Sequence, residues 1–182
     1  MVSNQNKEKI SIKEQMKKFL IKGFYGFNTV LSFGLGRRLG IFDYLYEKSK
    51  SSQSQTTISS IIFTVEELSE NLNLKLHYLD AWVHLSLECG LFEINDTTKR
   101  EMKTAPHVYS LLIDRNHMFY VGDTIGAFYY LAPFQDSILE GFRMERNIST
   151  TEVYEEFPEE VIIDGQRMSA RFGSLIISKN TY

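Results

Sequence analysis

Residues 63–95 read FTVEELSENLNLKLHYLDAWVHLSLECGLFEIN, and residues 30–45 before them read VLSFGLGRRLGIFDYL. Thr64 with Glu67 has the spacing of a capping box: the hydroxyl accepts from the amide three residues on, and the acid can reach back. That predicts a helix from Val65 to about Glu70. Asn71 to Asn73 is a turn, and Asn73 tolerates the left-handed backbone that ends a helix. Leu76, Leu79, Val83 and Leu87 then recur at helical spacing with Trp82 beside them, so a second helix runs from about Leu74 to Cys89 and closes at Gly90. Leu91 to Ile94 follows as a strand, 96–100 as a polar loop, and Met102 to Thr104 as the returning strand.

Helix, turn, helix and hairpin in that order form a winged helix-turn-helix, so the predicted class is mainly α with a small β-hairpin wing, flanked by further helices at both ends. Upstream, Ile41 to Glu47 fits a short helix. Before it, Ile12, Met16, Phe19, Leu20, Phe24, Phe27 and Leu31 share a helical face, with Lys13, Lys17 and Lys18 largely on the other side. Gly23, Gly26 and Gly34 weaken that helix by about 1 kcal/mol each relative to Ala, while allowing another helix close approach. A break is expected near Gly23–Gly26. Phe24, Phe27 and Leu31 read as knobs for a dimer partner; the competing reading of a basic amphipathic stretch is a membrane surface. Between 49 and 60, six of twelve residues are Ser, which predicts a disordered insert.

Downstream, Val108 to Ile113 suits one or two helical turns, Met118 to Leu131 a longer helix ended by Pro133, and Phe134 to Arg143 its resumption. Residues 147–166 hold six acids and no Lys or Arg. Pro158, Glu159 and Glu160 suit the first turn of a last helix to about Ile177. The expected division is a flexible tail at 1–10, the winged-helix unit at 11–113 and a helical extension at 114–182.

Bulk properties narrow the function. Thirteen Phe and ten Tyr in 182 residues supply a bulky core or a large apolar interface. A net charge of −3 argues against nucleic acid as the main partner. The single Cys89 suits a reducing compartment, and the polar, Lys-rich start lacks the apolar core of a signal peptide; a cytoplasmic protein is expected. The run Phe19 to Leu35, interrupted by Lys22, Asn28 and glycines, is too short to span a membrane.

No catalytic or metal constellation stands out. No pair among His77, His84, His107 and His117 has the i, i+4 spacing of helical metal ligands, and His77 and His84 have no Cys or acidic partner at a useful interval. Cys89 reads as a small packing group beside Gly90. The second helix of the motif offers Lys75, His77 and His84 against Asp80 and Glu88, a poor set for reading base edges. Lys99, Arg100 and Lys103 in the wing suit phosphate contacts only weakly. The aromatic set Phe119, Tyr120, Phe128, Tyr129 and Phe142, with Met168 and Phe172, lines a pocket or fills a core.

The words GRRLGIFDYL, FTVEELSENLNL, YLDAWVHLSLECGLFEI and MKTAPHVYSLL, in this order, resemble the N-terminal part of S-adenosylmethionine-dependent methyltransferases that carry a winged-helix domain, including small-molecule O-methyltransferases. Tyr78 and Trp82 sit where a bacterial subgroup has its Tyr and Trp, and residues 119–122 (FYVG) stand near its apolar-Gly segment. The resemblance implies a homodimer or pairing with a catalytic domain, an aromatic wall facing a small-molecule substrate, and S-adenosylmethionine as the family's cofactor. The glycine-rich strand–turn of a cofactor-binding domain is missing. Gly34-Leu35-Gly36 lies inside a helical pattern, so no catalytic or cofactor residue carries over and the chain is expected to be inactive alone. The alternatives are a non-enzymatic partner of a separate methyltransferase and a DNA-binding regulator.

Overall fold

The structure is a computed structural model that describes residues 11–51, 60–129 and 159–179, with the single positions 139, 142 and 155. It is mainly helical, with one small antiparallel sheet. Ser11 caps α1 (Ile12–Phe19): its hydroxyl accepts from the Glu14 amide, and the Glu14 carboxylate accepts from the Ser11 amide at 2.8 Å. The chain then widens into π-helical turns over Leu20–Tyr25 and returns to α geometry in α2 (Gly26–Arg38). The expected break at Gly23–Gly26 is therefore a loosened stretch of continuous helix. Gly40, at φ 74°, ends it and reverses the chain into α3 (Ile41–Ser51).

Helix α3 corrects the boundary of the Ser-rich insert. Ser49 is buried, donates to the Tyr46 carbonyl at 2.6 Å and meets the Tyr109 hydroxyl at 3.2 Å. A serine satisfied by its own helix enters a core that its composition alone argues against. Residues 52–59, like 1–10, lie outside the described residues.

The helix–turn–helix forms as expected. Thr64 caps α4 (Val65–Leu72) by accepting from the Glu67 amide at 3.1 Å, and Asn73 ends it at φ 52°. Helix α5 (Leu76–Glu88) buries Leu79, Trp82, Val83 and Ser86 and closes at Gly90, φ 72°. Trp82 is thus central to the buried face, whereas Leu76 is exposed. Strands β2 (Phe92–Asp96) and β3 (Glu101–Thr104) form the hairpin. A third strand, β1 (Ile62–Thr64), pairs with the free edge of β3, giving the order β1-β3-β2. The Thr104 hydroxyl fixes this edge by accepting from the Ile61 amide at 2.9 Å.

The core sits where α2, α3, α4, α5 and the sheet converge. Phe33 meets Phe42, and Phe63 meets Phe92, each with ring centroids 4.8 Å apart; Trp82 lies edge-on to Phe92 at 5.7 Å. Gly36 makes the α2–α5 crossing possible, because a Cβ there would lie 2.4 Å from the Trp82 ring. At the same crossing the Trp82 indole donates to the Ser32 carbonyl at 2.9 Å, and the buried Ser32 and Ser86 hydroxyls pair at 2.6 Å. Beyond the sheet come a π-helical turn at Tyr109–Ile113, α6 (Gly122–Tyr129) and α7 (Glu159–Lys179). Helix α6 packs against both α2 and α7. The helix expected over Phe134 to Arg143 lies outside the described residues, apart from Leu139 and Phe142.

Candidate functional site

Where α2, α6 and α7 meet, an arginine enters a largely buried carboxylate pair. Basic residues suit the last turn of α2, where helix carbonyls lack amide partners. Arg37 uses this place to reach across: its Nη2 donates to Asp123 of α6 at 3.1 Å and to Asp164 of α7 at 2.8 Å. The Asp123 side chain is 2% exposed and that of Asp164 is 9% exposed. The buried Tyr120 hydroxyl donates to Asp123 Oδ1 at 3.4 Å. Burial and the neighbouring Asp123 push the Asp164 carboxyl up, against the pull of Arg37, and its affinity for a proton is raised. Burial would lower the affinity of Arg37 for its proton, but Tyr120 and the two aspartates reverse that and it stays cationic.

Beside this cluster opens a cavity of about 380 Å³. Arg37, Arg38, Arg115 and Arg167 line it, with Asp43, Asp164, Ile163 and two glycines, Gly34 and Gly126. Gly34 is a packing requirement, since a Cβ there would lie 2.3 Å from the Tyr129 ring, and a Cβ at Gly126 would lie 2.5 Å from Arg37 Nη1 and displace the end of that side chain. Arg115 pairs with Asp43 across the rim at 3.0 Å. Guanidinium groups fixed in a concave site bind and orient oxyanions. They are not general bases, so the arrangement is suited to holding a ligand.

The wing is tied down. Arg100, at φ 54°, donates to Glu66 of α4 at 2.7 Å and to Asp80 of α5 at 3.1 Å. Asp80 also lies 3.8 Å from His84 Nε2, an acidic neighbour the spacing argument overlooked. Another carboxylate, Glu67, accepts from Tyr44 at 2.6 Å and from Lys48. Burial raises its proton affinity, but these donors prevail and it titrates low, while Tyr44 is pushed up to about 12.

Among the described residues, none of the aromatic set lines the cavity. Tyr120 is buried in the arginine–aspartate cluster, and Tyr129 packs on Gly34. Phe119, Phe128 and Phe142 are exposed, Phe142 at 84%. Met168 is half-buried on α7, and the side chain of Phe172 lies outside the described residues. Phe24, Phe27 and Leu31, at 64%, 59% and 37% exposed, lie on a helical stretch whose first turns bury nothing.

Sequence reasoning missed Arg37, Asp123 and Asp164. Asp123, between glycines in an otherwise apolar aromatic stretch, was the available signal, since a buried acid requires a cation or donors. Asp164 was hidden among the six acids of residues 147–166.

Among the described residues no group of three or more His, Cys, Asp or Glu is placed to hold a metal ion, and no helix is long and apolar enough to cross a membrane. Nor do these residues fit S-adenosylmethionine: Gly34 and Gly36 face rings from within a helix, and the strands are antiparallel and short. No protein-family model and no curated protein matches the chain. Solved structures do share its fold. PigF with SAH aligns at a TM-score of 0.59 and 11% identity, over 92% of this chain and 46% of PigF. Human N-acetylserotonin methyltransferase in complex with SAM aligns at 0.54 and 13% identity, over 88% of this chain and 44% of that one. The chain therefore spans less than half the length of either structure.

Proposed function

We propose that this chain is the winged-helix, dimerisation and substrate-shaping portion of a small-molecule methyltransferase that uses S-adenosylmethionine, and that it does not bind the methyl donor by itself. The observation that carries the reading is the fold match over about nine-tenths of this chain to less than half of two structures solved with SAH or SAM. The order α3, β1, α4, α5, β2, β3 is that of a winged helix, which supports the architectural part. The exposed Phe24, Phe27 and Leu31 support a role in joining a second copy, because apolar patches this contiguous mark interaction sites. Phe119 and Phe128, exposed on and beside α6, support an apolar wall presented to a substrate or a catalytic domain.

The Arg100 clamp weighs against the DNA-binding alternative. The wing arginine that would meet a phosphate is held by Glu66 and Asp80, and Asp80 stands on α5, the helix that would face the polyanion. Calorimetric titration with S-adenosylmethionine tests the donor half of the proposal. No saturable heat is expected at micromolar protein, and micromolar binding would refute it.

A further inference from the structure

We infer that the apolar face of α1 formed by Ile12, Met16, Phe19 and the following Leu20 rests on an anionic lipid surface, with the helix lying along the membrane rather than across it. The inference is independent of the methyltransferase reading. These four residues follow at intervals of three and four, so they share one side of the helix. All four are exposed, Ile12 at 89% and Phe19 at 69%, and no residue from Ile12 to Tyr25 is buried. The helical form of α1 therefore draws on the reciprocal Ser11–Glu14 bonds of its first turn rather than on core packing.

Charge points to the occupant. Lys13 with Lys17, and Lys18 with Lys22, stand four apart and flank the apolar face on its two sides. All four lysines are exposed, and none has a carboxylate partner among the described residues. Four lysines against the single Glu14 give residues 12–25 a charge of +3 in a chain whose net charge is −3. That one acid is already taken up by the Ser11 amide. Two copies laid face to face along α1 would set these lysines against each other. An anionic bilayer answers both features at once: its headgroup–acyl boundary takes apolar side chains to a depth of about 5–10 Å, while lysine stems reach back to the headgroups. Each lysine near such a surface strengthens binding about fivefold. The face lies ahead of Phe24, Phe27 and Leu31, the residues given to a second copy, so the two contacts use successive parts of one helical stretch.

Cosedimentation of the full chain with vesicles of equal parts phosphatidylglycerol and phosphatidylcholine tests this, with pure phosphatidylcholine vesicles and soluble polyglutamate as comparisons. At low salt the chain should partition into the anionic vesicles at least about tenfold more strongly than into the neutral ones. Lys17→Gln with Lys18→Gln should weaken that partition roughly twenty-five-fold, the effect of two lysines. Met16→Asp with Phe19→Asp should abolish it, because the face then has nothing apolar to insert at its centre. None of these four side chains is buried, so both double variants should keep the urea midpoint of the parent. No partition into anionic vesicles, equal partition into neutral ones, or a partition unchanged in either double variant would overturn the inference. Binding to polyglutamate without partition into vesicles would give the face to an acidic protein and overturn it as well.

Discussion

Arg37 stands between two carboxylates that water reaches poorly, and its removal exposes the cost of that arrangement. In Arg37→Met, Asp123 and Asp164 remain buried without their cation. Leaving a buried charge unpaired costs about 3–5 kcal/mol, so the urea midpoint should fall sharply; a midpoint within error of the parent would show that the cluster contributes nothing. Gly36→Ala acts through volume, because the new Cβ would sit 2.4 Å from Trp82 and 2.8 Å from Phe42. Overpacking of that kind costs about 1–3 kcal/mol, seen as a lower thermal midpoint, whereas Gly23→Ala, with nothing within 4 Å, should hold or raise it. Glu67 gives the chain an acid-side dependence. Its folded proton affinity is lowered, so its contribution is present above the unfolded carboxylate value of about 4.3 and is lost as pH falls through the lower folded value. Asp164 runs the other way: its folded affinity is raised, so its contribution is present at acid pH and is lost as pH rises through the folded value. In Glu67→Gln, stability should fall less steeply between about pH 5 and pH 3 than in the parent; identical slopes would show that Glu67 carries no linkage.

Among the elements, those set by local rules were legible in the sequence and those set by distant partners were not. Thr64, Asn73 and Gly90 each announce a helix end by what their own backbone or hydroxyl can do, and all three stand where the sequence places them. Strand β1 is three residues long and exists because Thr104 and β3 offer Ile61 and its neighbours a partner across some forty positions, and no local pattern encodes that. The arginine–aspartate cluster is hidden for the same reason, since it joins residues 86 and 127 positions from Arg37. The first helical stretch shows the converse. Its amphipathic face is plain in the sequence, yet the fold leaves Phe24 and Phe27 uncovered. That uncovered face should matter to association and little to folding: Phe24→Asp with Phe27→Asp should leave the thermal midpoint within about 2 °C at a concentration where the parent is monomeric, because both side chains are more than half exposed within the chain. A large loss there would mean that the stretch packs on its own chain.

For the protein as an assembled object, the reading is a scaffold that joins and shapes. Its core is compact around α2, α5 and the sheet, its wing is latched by Arg100, and its apolar excess points outward from the first helical stretch and from α6. Ser11's capping box and the lysines in the last turn of α1 favour the helical form of that stretch. A pair of chains meeting through it needs roughly 800 Å² from each copy to be stable, which several exposed Phe and Leu side chains can supply. Sedimentation equilibrium on the chain and on the Phe24→Asp, Phe27→Asp variant measures this. The parent should give twice its 21.1 kDa mass at micromolar concentration and the variant a single 21.1 kDa species. A parent that stays at 21.1 kDa up to high micromolar concentration, or a variant that still pairs, would be incompatible with a joining role for this face.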